Sequence, residues 1–138
     1  MKKIFMAVLV FTTIAASAQM AGAPAAAKAA FAKVYPGVAN VKWEKEDGNY
    51  EASFEQKGQK LSVIYDAKGV LKESEIEIKA SELPAAVTAY MQQHYKGITV
   101  KGGAKITKAD GTINYEAAVK GKDIVFDANG KFIKEEKD

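Results

Sequence analysis

Asp47-Gly48-Asn49-Tyr50-Glu51-Ala52 returns about 60 residues later as Asp110-Gly111-Thr112-Ile113-Asn114-Tyr115-Glu116-Ala117. Working outward, Tyr65-Asp66-Ala67-Lys68-Gly69 returns as Phe126-Asp127-Ala128-Asn129-Gly130. Tyr35-Pro36-Gly37 returns as Tyr95-Lys96-Gly97, and Pro24-Ala25-Ala26-Ala27 as Pro84-Ala85-Ala86-Val87. The offset changes slightly along the copies, as short loop insertions would require. What repeats is turn residues and apolar positions, which build a fold. No nucleophile, base or metal cluster repeats with them.

Around the quoted stretch the apolar period is 2. Tyr50, Ala52 and Phe54 alternate with Glu51, Ser53 and Glu55; Val41 and Trp43 alternate with Lys42 and Glu44; Leu61, Val63 and Tyr65 alternate with Ser62 and Ile64. These read as strands with one buried face. Asp47-Gly48-Asn49, Lys57-Gly58-Gln59 and Asp66-Ala67-Lys68-Gly69 are hairpin connections. A fourth strand covers about Val70 to Ile78. The second copy predicts strands near 99–108, 112–119, 122–127 and 131–135. Before each set the period is helical. Ala27, Ala30, Phe31 and Val34 share one stripe, and Val87, Tyr90, Met91 and His94 share another. Pro36-Gly37 and Gly97 stop these helices, Pro84 suits a first turn, and Ser81 is a candidate cap. The expected fold is therefore α+β: a tandem repeat of one helix followed by a four-stranded antiparallel meander, with the helices on one sheet face. The expected division is 24–79 for the first repeat and 80–138 for the second, each marginal in size for folding alone.

The N-terminal segment reads as an address. Lys2 and Lys3 precede an apolar run from Ile4 to Ala15, which is too short to span a bilayer comfortably. Ala16-Ser17-Ala18 is a small-x-small cleavage site. Residues 1–18 are read as a signal peptide and 19–23 as a flexible lead-in. The chain is expected to be periplasmic or secreted, with no stable membrane anchor after cleavage. There is no Cys, which excludes a lipid-anchored lipoprotein, disulfides and thiolate chemistry. The formal charge of +3 falls to +1 without Lys2 and Lys3, so the basic balance belongs mainly to the address segment. Every basic side chain is Lys, and Arg is the favoured residue for bidentate phosphate recognition. A nucleic-acid or nucleotide site is not expected.

The helix ending Tyr35-Pro36-Gly37, then Val41-Lys42-Trp43-Glu44, then Tyr50-Glu51-Ala52, then Tyr65-Asp66-Ala67-Lys68-Gly69, resembles the PepSY-like, beta-lactamase-inhibitor-like family of secreted bacterial proteins. The likeness extends over both copies. It implies two helix-plus-sheet repeats and a non-enzymatic binding or inhibitory role, with no catalytic motif and no particular target to carry over. The second copy departs from the pattern at Lys96, which replaces the Pro, and near Ile106, where a counterpart of Trp43 is expected.

Candidate chemistry is sparse. Asp127-Ala128-Asn129-Gly130 begins like a calcium loop but lacks the bidentate Glu, and turn chemistry accounts for it and for its partner at Asp66. His94, the single His, reads as a helix-boundary packing residue. Trp43, Tyr50, Tyr65, Tyr90, Tyr95 and Tyr115 mostly fall on the aliphatic face and are assigned mainly to the core. Glu44 and Glu51 are expected to pair with Lys across strands. No catalytic residues, metal ligands or cofactors are assigned, and the chain is not read as an enzyme. The remaining candidate is the sheet face opposite the helices. It carries Lys42, Glu44, Glu51, Ser53 and Ile64 in one copy and Asn114, Glu116 and Val125 in the other. Ile64 and Val125 put β-branched groups at equivalent positions on a face expected to be wet, which suggests a shallow patch for a protein or peptide. The expected function is thus an exported binding module, inhibitory in one version. The alternatives are a structural or envelope-stress protein without a tight partner, or a small-ligand binder. Oligomeric state is open.

Overall fold

The computed structural model describes residues 22–137. The address segment 1–18 and most of the lead-in lie outside them. Chain contacts divide at Ile76/Glu77 into two compact units. The first contains α1 (Ala25–Val34), β1 (Lys42–Glu46), β2 (Asn49–Gln56), β3 (Gln59–Tyr65) and most of β4 (Leu71–Ile78). The second contains a 3-10 turn (Ala80–Glu82), α2 (Ala85–His94), β5 (Gly102–Lys108), β6 (Ile113–Val119), β7 (Lys122–Asp127) and β8 (Phe132–Lys137). In each unit the strands pair antiparallel with their sequence neighbours.

Alternation delivers one side of each meander to its helix. In the first unit Trp43, Ala52, Phe54, Val63 and Tyr65 pack with Ala27 and Phe31 of α1. The Phe31 ring meets Phe54 edge-on at 5.0 Å and Trp43 at 5.7 Å. Edge-to-face contact at such spacing satisfies the ring quadrupoles. In the second unit Val87 and Met91 of α2 pack with Ala117, Val119, Ile124 and Phe126. The six singled-out rings all contribute to these clusters, Trp43 and Tyr65 fully buried and the four tyrosines 50, 90, 95 and 115 packed against them. The helical stripes end early. Val34 is 63% exposed and His94 is exposed, because each is the last residue of its helix. Ser81 does not cap α2. It lies inside the 3-10 turn, where Glu82 Oε2 accepts the Lys79 N–H at 2.7 Å, and Pro84 stands at the N-cap.

The repeated Asp-Ala-x-Gly turns pass close against the helices. Asp66 Oδ1 accepts the N–H groups of Lys68 at 2.9 Å and Val70 at 3.0 Å. Asp127 Oδ1 accepts those of Asn129 at 2.8 Å and Lys131 at 2.9 Å. The carboxylates close turns, as the sequence indicated. Each turn then presents its Gly to the first turn of the helix. A Cβ on Gly69 would stand 2.5 Å from the Ala26 carbonyl oxygen, and one on Gly130 2.5 Å from the Ala86 Cβ. Both glycines also have φ near +80°. Each meander has a register shift just before the turn, between Ile64 and Tyr65 and between Val125 and Phe126.

The counterpart of Trp43 is Gly103, not Ile106. Trp43 pairs with Ala52, and Gly103 with the equivalent Ala117. Ile106 pairs with Asn114 and points to the other face. A Cβ on Gly103 would meet Leu83 Cδ2 at 2.8 Å. Leu83, buried before α2, thus fills volume that the indole fills in the first unit, where the residue before the helix Pro is only Ala23. Local sequence matching misses this because the compensating residue comes from a different element.

Replacing Gly130 or Gly69 with Ala is expected to cost far more than Gly58→Ala, whose Cβ would meet open space. All three glycines have left-handed φ, so each Ala variant loses about 1 to 2 kcal/mol to the backbone. The overpacked contact adds about 1 to 3 kcal/mol at Gly69 and Gly130 only, and this is the expected difference. Urea unfolding of the three variants measures the difference; equal losses would show that the helix gives way at no cost.

Candidate functional site

The face opposite α1 is organised by strand register into two rows. Glu44, Glu51, Ile64 and Glu73 lie side by side across β1 to β4, and Lys42, Ser53, Ser62 and Glu75 form the next row. Side chains in adjacent strands of such a row are about 5 Å apart. Lys42 and Glu44 are exposed; Glu51, Ser53, Ser62 and Ile64 are half-buried. Lys42 Nζ lies 2.7 Å from Glu44 Oε1, so this pair forms along one strand, two residues apart, and not across strands. Being about half exposed on both sides, it contributes little to stability.

Glu51 is the electrostatically loaded member. Burial raises its carboxyl pKa above the ordinary value, and the neighbouring Glu44 charge raises it further. Hydrogen bonds from the hydroxyls of Ser62 and Ser53 oppose the rise. The row therefore joins a half-buried carboxylate, held by two hydroxyls, to a half-buried β-branched side chain at the directly opposed position Ile64.

The same pairing occurs in the second unit, where Glu116 is opposite Val125. Its setting differs. Glu116 is fully buried, Val125 is 1% exposed, and Asn114, Ala118, Asp123, Ala104 and Ile106 on that face are buried too. Asn114, Glu116 and Val125 are thus not open to solvent, and β5 to β7 are largely buried on both faces, whereas β8 is half-buried to exposed. A signal for this is present in the sequence. Ala117-Ala118-Val119 and Ile124-Val125-Phe126 are unbroken apolar runs, which suit doubly buried strands, whereas the first copy keeps its polar alternation through Glu51, Ser53 and Ser62.

The other candidates resolve into structural roles. His94 stacks on Tyr90 with centroids 4.2 Å apart at the end of α2. Among the described residues no three His, Cys, Asp or Glu side chains converge as a metal-binding group. Sequence reading missed one cluster in the second unit. The Tyr95 hydroxyl donates to Glu135 Oε1, and Lys122 Nζ donates to Glu135 Oε2 at 3.0 Å while lying 5.1 Å from the Tyr95 ring centroid. Burial, followed by the Glu135 contact, pushes the Tyr95 hydroxyl pKa well up. This triad ties the end of α2 to β7 and β8. Its members are far apart in the chain, and no motif announces them.

With the fold and site in view, the relatives are informative. Residues 16–73 and 65–134 each match the protein family described as "Putative beta-lactamase-inhibitor-like, PepSY-like". The chain belongs to this family. Among solved structures it is similar to a BLIP-like protein from Bacteroides fragilis, with 26% identity, a TM-score of 0.67, and coverage of 84% of this chain and 86% of that one. A "DUF2874 family protein" from Bacteroides uniformis has 22% identity and a TM-score of 0.74, covering 84% and 90%. A "putative periplasmic" protein from Bacteroides eggerthii has 18% identity and a TM-score of 0.76, covering 84% and 89%. The last two share the fold. Among curated proteins, none matches the chain. No helix among the described residues is long and apolar enough to cross a membrane.

Glu51→Gln should raise the melting temperature at neutral pH. A carboxyl whose folded pKa is raised weakens the fold while ionised, and the penalty fades as pH falls through that pKa. The gain from Gln should therefore shrink on acidification. A melting curve series from neutral to acid pH checks this, and a loss of stability at neutral pH would show that the Ser62 and Ser53 hydrogen bonds dominate.

Proposed function

We propose that this chain is an exported, non-enzymatic binding module that engages a protein or peptide through the first unit's helix-free sheet face. Where the partner is an enzyme, occupation of that face is inhibitory. The observation that carries the reading is the Glu51–Ile64 pair. It sets a half-buried carboxylate beside a half-buried β-branched group on a sheet face that α1 does not cover. Strand register holds both side chains in place, so little conformational entropy is lost when a partner docks. Lys42, Glu44 and Ser53 supply a polar rim beside them. Membership of a beta-lactamase-inhibitor-like family agrees with a binding role. Export is supported by the charged, apolar and small-x-small pattern of residues 2–18 and by the name of the Bacteroides eggerthii neighbour.

The test uses residues 19–138 as an immobilised bait for the envelope fraction of the source cell, with Ile64→Lys as control. Ile64 is half-buried on the face away from the core, so the variant should fold with a melting temperature near the parent's. A protein retained stoichiometrically by the parent and lost by Ile64→Lys supports the reading. Retention by both locates binding elsewhere.

A further inference from the structure

The second unit has a groove that the sheet face does not use. It is a half-open depression of about 380 Å3 lined by the 3-10 turn, α2 and the loop that leads to β5. Ligand pockets generally start near 300 Å3 and are mostly apolar with a few polar groups. Buried Leu83 and Met91 contribute to its lining, and Ile98 and Val100 line its loop side. Ile98 is 44% exposed, which makes it one of the largest apolar groups left open to solvent. Thr88 and Gln92, one helical turn apart, add a hydroxyl and an amide.

Lys96 is the one charged residue among those lining the groove. The nearest acidic group in the 3-10 turn, Glu82, is turned back onto the Lys79 N–H. At the end of α2 the Met91 carbonyl accepts the Tyr95 N–H at 2.9 Å, and the Tyr95 carbonyl accepts the Ile98 N–H at 3.1 Å. The first is the helix's own last bond and the second satisfies one further carbonyl, so the helix end keeps much of its negative character and Lys96, two residues beyond His94, supplies the positive charge there. The groove therefore offers an apolar trough, two hydrogen-bonding groups and a single ammonium. An ammonium is a compact point charge, suited to a monoanion and lacking the fork that Arg offers phosphate.

We infer that this groove binds the free carboxylate form of a medium-chain aliphatic acid, with the chain along Leu83, Met91 and Ile98 and the carboxylate at Lys96. The equivalent positions of the first unit carry different groups. Pro36 stands where Lys96 does, and Ala23 stands where Leu83 does. The inference is independent of the sheet-face reading, since it concerns another unit and another element.

The experiment titrates residues 19–138 with decanoate, decanol and decyltrimethylammonium by calorimetry, with amide chemical shifts locating the site. Decanoate should bind saturably at one site, shifting the amides of Gly97 and Ile98. Decanol should bind more weakly by roughly two- to fivefold, the order of effect that an exposed ion pair supplies. Lys96→Gln should weaken decanoate to the level of decanol and leave decanol unchanged. Ile98→Glu should abolish both. Both side chains are exposed, so each variant should melt like the parent; if Ile98→Glu does not, Lys96→Gln decides the question alone. The inference is overturned by no saturable binding, by equal affinity for decyltrimethylammonium, by indifference to Lys96→Gln, or by shifts confined to other residues.

Discussion

The fold depends on how closely a turn glycine approaches a helix. Gly69 meets the backbone at Ala26, and Gly130 meets Ala86, at separations that leave no room for a Cβ. Asp66 and Asp127 hold those turns by two hydrogen bonds each from backbone N–H groups. The turn fixes where the third strand ends and the fourth begins, and the contact fixes the helix's first turn above them. Once that is set, Phe31 falls over Trp43 and Phe54 in one unit. In the other, Met91 and Val87 fall over Ala117 and Ile124. Each unit is small, so one well-placed contact between layers matters more than in a larger domain.

The two copies satisfy that constraint with different side chains. An indole on β1 fills the first core; a glycine on β5 and a leucine before α2 fill the second. The helix ends differ likewise. Tyr35 packs on Phe31 and Phe54, whereas Tyr95 sends its hydroxyl to Glu135 under the Lys122 ammonium. Such exchanges keep volume and polar satisfaction while changing surface chemistry, which cores tolerate readily. The open sheet face of the first copy owes its polarity to other residues, Glu51, Ser53 and Ser62 on the opposite side of the strands.

Charge on the accessible face is not arranged for stability. Glu51 sits beside Glu44, half-buried, with its ionised form disfavoured by burial and by that charge, and with hydrogen bonds to Ser62, Ser53 and Glu46 in partial compensation. Surfaces that serve recognition commonly carry such a cost, because the groups that a partner will satisfy are imperfectly satisfied without it. The pairing across strands of that carboxylate with Ile64 gives the face both polar direction and apolar area.

Local sequence determined the elements and their order. The period of 2 around Tyr50-Glu51-Ala52, the period of 3.6 through Ala27 and Phe31, and the Asp-x-x-Gly turns are short-range signals that each residue carries with its neighbours. The repeat made the same reading twice and identified the face opposite the helices. Tertiary structure decided what depends on residues distant in the chain. Leu83 fills the volume of an indole whose equivalent position, Gly103, lies twenty residues further along the chain and in a different element. Tyr95, Lys122 and Glu135 meet from three elements. Glu116 and Val125 repeat Glu51 and Ile64 in register yet are enclosed, while their counterparts remain accessible. Alternation tells which side of a strand a residue faces; only the packing of the whole chain tells whether that side is open.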